Sequence, residues 1–290
     1  MNEEFDNLIK RLRENDETLT SIKLICIDIG AEGAKALADA LKTNTTLTSI
    51  DLYDNNIGAE GAKALAEALK TNKTLTSINL DSNNIGAEGA KALADALKEN
   101  TTLTSINLIY NNIGDEGATA LADALKTNKT LTSIHLSNLF SDNKIGAEGA
   151  TALAEALKTN TTLTSINLEK NNIGDEGAKA LAEALKKNTT LTSIDLYDNK
   201  IGDEIRDEIE KIIQEATDDN KRITTEKLSV DMKTAIAMGL HPKLGEESSL
   251  KKMIVELLIK IVDLTDPTRS PEAIKRIEAL SIRSGPNQIT

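Results

Sequence analysis

The sequence predicts an α/β solenoid, with parallel strands along an inner face, helices along an outer one, and an all-helical segment at the C-terminal end. Three observations predict it. The string Leu-Thr-Ser-Ile recurs at Leu19, Leu47, Leu75, Leu103, Leu131, Leu163 and Leu191, at intervals of 28 residues broken once by an interval of 32. Each period divides into a strand-like half and a helix-like half. No single unit can bury its own apolar face, so the copies must stack to make one continuous core. Helices are wider than paired strands are far apart, and such crossovers are right-handed, so the array bends into a horseshoe with its strands on the hollow side.

The elements follow in chain order. Residues 1–18 are an N-terminal helical cap, in which Phe5, Leu8, Ile9 and Leu12 fall at helical spacing. Residues 19–217 hold seven repeats. In the second, Ile50 and Leu52 alternate with Asp51 and Tyr53, which predicts a short strand with two faces. The chain must then turn inward, where backbone groups lose their ladder partners. Asn55, Asn83, Asn111, Asn143, Asn171 and Asn199 carry both a donor and an acceptor for that turn, and the first repeat has Ile27 instead. From Ala59 to Lys70 the residues are good helix formers. Glu60 lies at the positive end, Ala62, Leu65, Ala66 and Leu69 form the buried stripe, and Lys63 and Glu67 are expected to pair on the outside. Asn44, Asn72, Asn100, Asn128, Asn160 and Asn188 begin triplets of glycosylation type, but read better as turn residues.

These positions carry a resemblance. The pattern LxxLxLxxNxI with a helical second half resembles the leucine-rich repeat. The 28-residue period with GAEGAKALAEAL resembles its ribonuclease-inhibitor-like subclass, the type found in the sensor ends of innate immune receptors, in Ran GTPase-activating proteins and in repeat proteins of intracellular bacteria. The resemblance covers about residues 19–216 and implies a protein-interaction module. It also implies alternatives: a bacterial effector acting on host proteins, an effector of the ubiquitin-ligase type, or a GTPase-activating regulator.

Two regions break the period. The fifth repeat gains four residues near Ser137–Asp142, which places Leu139 and Phe140 past a strand; Phe140 either anchors a partner or collapses onto its own loop. The seventh keeps Ile209 and Ile213 on its inner side but has Ile205 and Ile212 where other repeats have small residues, so a covering tail is expected. Residues 218–290 form that C-terminal helical segment. Its clearest stretch has Leu250, Met253, Ile254, Leu257, Leu258, Ile261 and Val262 at helical spacing.

Charge and composition then exclude function classes. With 34 Lys+Arg against 46 Asp+Glu, a net charge of −12 and five Phe or Tyr, the chain lacks the basic stripe and stacking aromatics that nucleic acid requires. Counted over 219–290 there are 12 basic and 10 acidic residues, leaving 22 and 36 before them, so the tail is +2 and the repeats −14. No apolar run approaches the ~20 residues of a membrane span, and the polar start is no secretory signal. The lone Cys26 makes no internal disulfide, which favours a cytoplasmic location, or delivery into a host cell without a classical signal peptide.

No catalytic or metal-binding set emerges, so no enzyme, cofactor, metal or small-molecule substrate is expected. His135 and His241 lie in different segments, Cys26, at an inward-facing place in the first strand, is four strands, roughly 19 Å, from His135, and paired acids such as Asp115-Glu116 of the IGDEGA repeats read as complementing the start of their own helix. Binding, expected on the concave face, is signalled where near-identical repeats differ. After the Ile of Leu-Thr-Ser-Ile, one column reads Lys23, Asp51, Asn79, Asn107, His135, Asn167, Asp195. A second reads Ile25, Tyr53, Asp81, Ile109, Ser137, Glu169, Tyr197, and a third Cys26, Asp54, Ser82, Tyr110, Asn138, Lys170, Asp198. All three tyrosines of the chain lie in these columns, as binding hot spots favour. Free drift of exposed positions is the alternative. The expected partner-binding residues are therefore Asp51, Tyr53, Asp54, Asn79, Asp81, Asn107, Ile109, Tyr110, His135, Phe140, Asn167, Glu169, Asp195, Tyr197 and Asp198. The acids among them call for a protein partner with a basic patch.

Overall fold

A computed structural model describes residues 3–138 and 143–215. The chain divides into two units, Met1–Thr217 and Asp218–Thr290. The helices expected in the second, the cover expected over Ile205 and Ile212, and Phe140 all lie outside the described residues.

The first unit is a leucine-rich-repeat solenoid. After helix α1 (Glu3–Arg13), strands and helices alternate: β1 (Ser21–Lys23), α2 (Gly30–Leu41), β2 (Ser49–Asp51), α3 (Gly58–Thr71), β3 (Ser77–Asn79), α4 (Gly86–Glu99) and β4 (Ser105–Asn107). Then come α5 (Gly114–Thr127), β5 (Ser133–His135), α6 (Ala147–Leu157), β6 (Ser165–Asn167), α7 (Gly174–Leu185) and β7 (Ser193–Asp195), with residues 203–215 also helical. The seven strands form one parallel sheet in sequence order. Ser133 still faces Ser165 across the four-residue insertion, so the extra residues leave the sheet register untouched.

Burial explains the repeat. Leu47, Ile50, Leu52, Ile57, Ala62, Leu65, Ala66, Ala68 and Leu69 of the second repeat are all buried, and their counterparts join them in one core. Helix spacing depends on small residues at two places. A Cβ on Gly89 would collide with Ile85 Cγ2 and lie 3.0 Å from Ala62 Cβ of the preceding helix, so a side chain there forces the layers apart. Gly86 has φ +68°, a left-handed conformation that opens the helix at little cost only for glycine.

The expected asparagine ladder is present, and its chemistry explains why the first repeat lacks it. Asn83 Oδ1 accepts the N–H groups of Asn55 (3.1 Å) and Ile57 (3.3 Å), while its Nδ2 donates to the carbonyls of Leu52 (2.8 Å) and Asp81 (2.9 Å). Each asparagine thus serves the repeat before its own. Ile27 has no earlier strand turn to serve.

A second ladder was not legible as such. Asn72 Oδ1 accepts the N–H groups of Thr74 (3.0 Å) and Leu75 (2.8 Å), and its Nδ2 reaches back to the Leu41 carbonyl at the end of α2 (2.8 Å). Asn44, Asn100, Asn128, Asn160 and Asn188 do the same for the helix before them, Asn44 for α1 through the Leu12 carbonyl. All six are buried, so the turn reading holds and folded protein offers no glycan acceptor there.

Two further expectations are corrected. Lys63 pairs with Glu60 at 3.0 Å and not with Glu67, which instead holds Lys70 at 2.6 Å; the i,i+3 partner wins on each helix of this type. Cys26, expected on an inward-facing strand position, lies exposed beyond β1 with φ +55°. The acids of the IGDEGA variants also do more than complement their own helix. Asp115 Oδ1 accepts the N–H groups of Gly146 (2.7 Å) and Gly149 (2.8 Å), and Asp175 Oδ1 that of Gly202 (2.8 Å), so each caps the next repeat's helix.

Candidate protein-binding surface

The three variable columns begin where each strand ends. Asp51, Asn79, Asn107, His135, Asn167 and Asp195 are the last strand residues and stand side by side in register. Most of this column has a backbone task. The Oδ1 atoms of Asp51, Asn79, Asn107, Asn167 and Asp195 accept the N–H two residues on, at 2.9–3.1 Å. That bond closes an Asx-type turn, which explains why the column is so restricted to Asp and Asn. Asn79 Nδ2 also donates to Asp51 Oδ1 at 2.8 Å. These residues shape the surface as much as they populate it.

The second and third columns lie past the strands, yet they remain stitched together. The N–H of Cys26 donates to the Tyr53 carbonyl (3.0 Å), Asp54 to Asp81 (3.0 Å), Ser82 to Ile109 (3.0 Å) and Lys170 to Tyr197 (2.7 Å). Cys26, Asp54, Ser82, Tyr110, Lys170 and Asp198 all have φ between 52° and 62°. The left-handed residue ends the extended run at the same place in each repeat. Tyr53 and Tyr197 are exposed, Asp81, Ile109, Tyr110 and Glu169 half-buried, and Asp54 and Asp198 exposed. Ser137 and Asn138, beside the insertion, are buried and offer little surface.

Charge divides the two sides of the solenoid. On the helices Glu32, Asp39, Glu60, Glu67, Asp95, Asp123, Glu155 and Glu183 each have a lysine three residues on, within 3.0 Å. At the strand exits Glu169 lies 3.3 Å from Lys170. Asp28, Asp51, Asp54, Asp81, Asp195 and Asp198 have no lysine or arginine partner among the described residues. Burial pushes the Asp81 carboxyl above its ordinary 3.8; the Ser82 hydroxyl opposes this, and the carboxylates of Asp51 and Asp54 add to it. Desolvation and then the Asp54 carboxylate push the Cys26 thiol up as well, which keeps it protonated and unsuited to nucleophilic attack.

The family model "TMOD/LMOD Leucine-rich domain" matches residues 2–112 and 107–238, most of the chain. The chain belongs to this leucine-rich domain family. Among solved structures, the leiomodin-1 actin-binding site 2 is similar at 20% identity over 80% of this chain and 99% of that one, with a TM-score of 0.47. The tropomodulin C-terminal domain of Caenorhabditis elegans is similar at 13% identity over 78% and 98%, with a TM-score of 0.38. No curated protein matches. Among the described residues no helix is long and apolar enough to cross a membrane, and no three His, Cys, Asp or Glu side chains are grouped to hold a metal ion.

One exposed apolar group lies outside the expected set. Ile25 and Ile27 are 42% and 48% exposed on the first exit turn, beside exposed Asp28. The signal was present as an isoleucine in the place of a ladder asparagine.

Proposed function

We propose that this chain is a protein-interaction module whose strand-exit surface binds a partner with a basic patch. Residues 1–18 serve as the cap, 19–217 as the binding solenoid and 218–290 as a helical segment beyond it. One observation carries the reading: among the described residues six strand-exit carboxylates, Asp28, Asp51, Asp54, Asp81, Asp195 and Asp198, have no cationic partner, whereas every helix from α2 to α7 closes at least one carboxylate with a lysine three residues on. Unpaired like charges cost stability where they are crowded, as at Asp81, and an incoming lysine or arginine relieves that cost. Tyr53, Tyr110 and Tyr197 add amphipathic area on the same side. Seven strands span about 29 Å, enough for an interface of about 800 Å² per partner.

The proposed set keeps the expected residues other than Phe140 and gives them different duties. Tyr53, Asp54, Asp81, Ile109, Tyr110, Glu169, Tyr197 and Asp198 supply contact, while Asp51, Asn79, Asn107, Asn167 and Asp195 hold the turns that present them, with His135 in the same column at the end of β5. The reading requires no catalytic group or cofactor, and a role inside a host cell rests on the resemblance to bacterial repeat proteins alone. The leiomodin-1 domain is described as an actin-binding site, which makes actin one purified protein to test.

The test is a variant of the full chain carrying Tyr53→Ala, Asp81→Ala and Tyr110→Ala. Affinity purification of tagged wild type should enrich one or more proteins with basic surfaces, and the variant should lose them with little change in melting temperature. Equal enrichment by both proteins refutes the surface.

A further inference from the structure

We propose that the exit turns of the first two repeats form a docking site for a short apolar segment flanked by lysine or arginine. This rests on the protein-binding reading above and narrows it to one end of the columns. Ile25, Ile27 and Tyr53 are three of the four large apolar side chains strongly exposed among the described residues; Tyr197, the fourth, is at the opposite end. The three belong to adjoining turns, joined by the Leu24 N–H to the Asp51 carbonyl (2.8 Å) and the Cys26 N–H to the Tyr53 carbonyl (3.0 Å). A single exposed isoleucine is ordinary, whereas two with a tyrosine on a stitched backbone make a patch.

The surroundings define the occupant. Asp28, Asp51, Asp54 and Asp81 accompany the patch, against Lys23 at the end of β1. Asp51 and Asp81 are hydrogen-bonded by neutral donors, Asn79 and Ser82, which leave their negative charge uncancelled. An aliphatic side chain covers Ile25 and Ile27, and a flanking ammonium or guanidinium meets the carboxylates and the face of Tyr53. A second copy of this chain does not fit. Two such turns facing each other across a two-fold axis would bring acid against acid.

Full-length protein is titrated by fluorescence anisotropy with a labelled helical peptide that carries a leucine stripe and Lys/Arg flanks. One control peptide has serine for leucine and another glutamate for the basic residues. Binding of the first should exceed both controls by at least about tenfold at physiological salt. The variants Ile25→Ser/Ile27→Ser and Asp28→Asn/Asp54→Asn should each weaken it by about tenfold, well beyond the effect of Tyr197→Ala/Asp198→Asn at the far end of the columns, and the helix-side variant Asp123→Asn sets the unaltered baseline. Absence of peptide binding, or equal binding of the serine control, overturns the site. Loss confined to the Tyr197/Asp198 variant overturns the location and leaves the strand-exit reading intact. Insensitivity to all three strand-exit variants removes both.

Discussion

The two sides of the solenoid carry similar acids under opposite conditions. On the helix side a carboxylate such as Asp95 has Lys98 at 2.8 Å, one turn away on the same helix. On the strand side Asp81 has carboxylates from the repeat before it and no cation of its own. The difference teaches which surface the chain completes by itself. Each helix from α2 to α7 closes at least one carboxylate with its own lysine, and the pattern repeats almost unchanged, as a solvated face requires only solubility. Strand-exit charges are left open, and there the copies diverge.

That contrast assumes that the exposed columns are held in place by buried groups and contribute little to stability themselves. Asn111→Ala breaks the assumption if it is wrong. Asn111 Oδ1 accepts the N–H groups of Asn83 (3.1 Å) and Ile85 (3.2 Å), and its Nδ2 donates to the carbonyls of Leu80 and Ile109, both at 2.8 Å. Alanine leaves these without partners, at a loss of about 3–5 kcal/mol in urea melts. The converse change, Ile27→Asn, restores the missing ladder residue where no earlier strand turn needs it, and should leave the midpoint nearly unaltered. A stabilising Ile27→Asn would show that Ile27 is a defect and not a surface residue.

The helix side is sharpened by Gly89→Ala. Its methyl group meets Ile85 and Ala62, so the helices must separate or the isoleucine must turn, at a cost of about 1–3 kcal/mol. A neutral result would mean that the helix layer has slack, and that its regular spacing does not hold the strand exits in line.

These two faces were unequally legible. The interior was readable because its constraints recur: Leu, Ile, Ala and the ladder asparagines return at fixed places, and one physical reason accounts for all copies. The second asparagine ladder was read only as a set of turns, because its reach to the Leu41 carbonyl spans 31 residues and has no local signature. Asp115 was assigned to its own helix for the same reason; its partners, Gly146 and Gly149, are in the next repeat. At the surface the variable columns were visible as variation, but variation does not separate turn chemistry from binding. Only the hydrogen bonds show that Asn107 and Asn167 close turns while Tyr53 is left to solvent.

The smallest effect gives the most direct test, because the two faces predict opposite signs. The Asp95 carboxyl is held below its ordinary value of 3.8, first by the hydrogen bond from Lys98. Its folded pKa is depressed, so its contribution is present above the unfolded value and is lost as pH falls through the folded one. Asp95→Asn should therefore lower the melting temperature slightly at pH 7. Asp81 has the opposite shift: its protonated form is favoured by folding, and the penalty appears as pH rises through its raised pKa. Asp81→Asn should raise the melting temperature at pH 7, since the amide oxygen can still accept the Ser82 hydroxyl. The Asp81 difference should fade as pH falls through the ordinary carboxylate value near 4, the Asp95 difference only at lower pH, through its depressed folded value, and both should shrink in salt. Equal signs at neutral pH would mean that Asp81 has found a cation, and that the strand-exit surface is as self-sufficient as the helices.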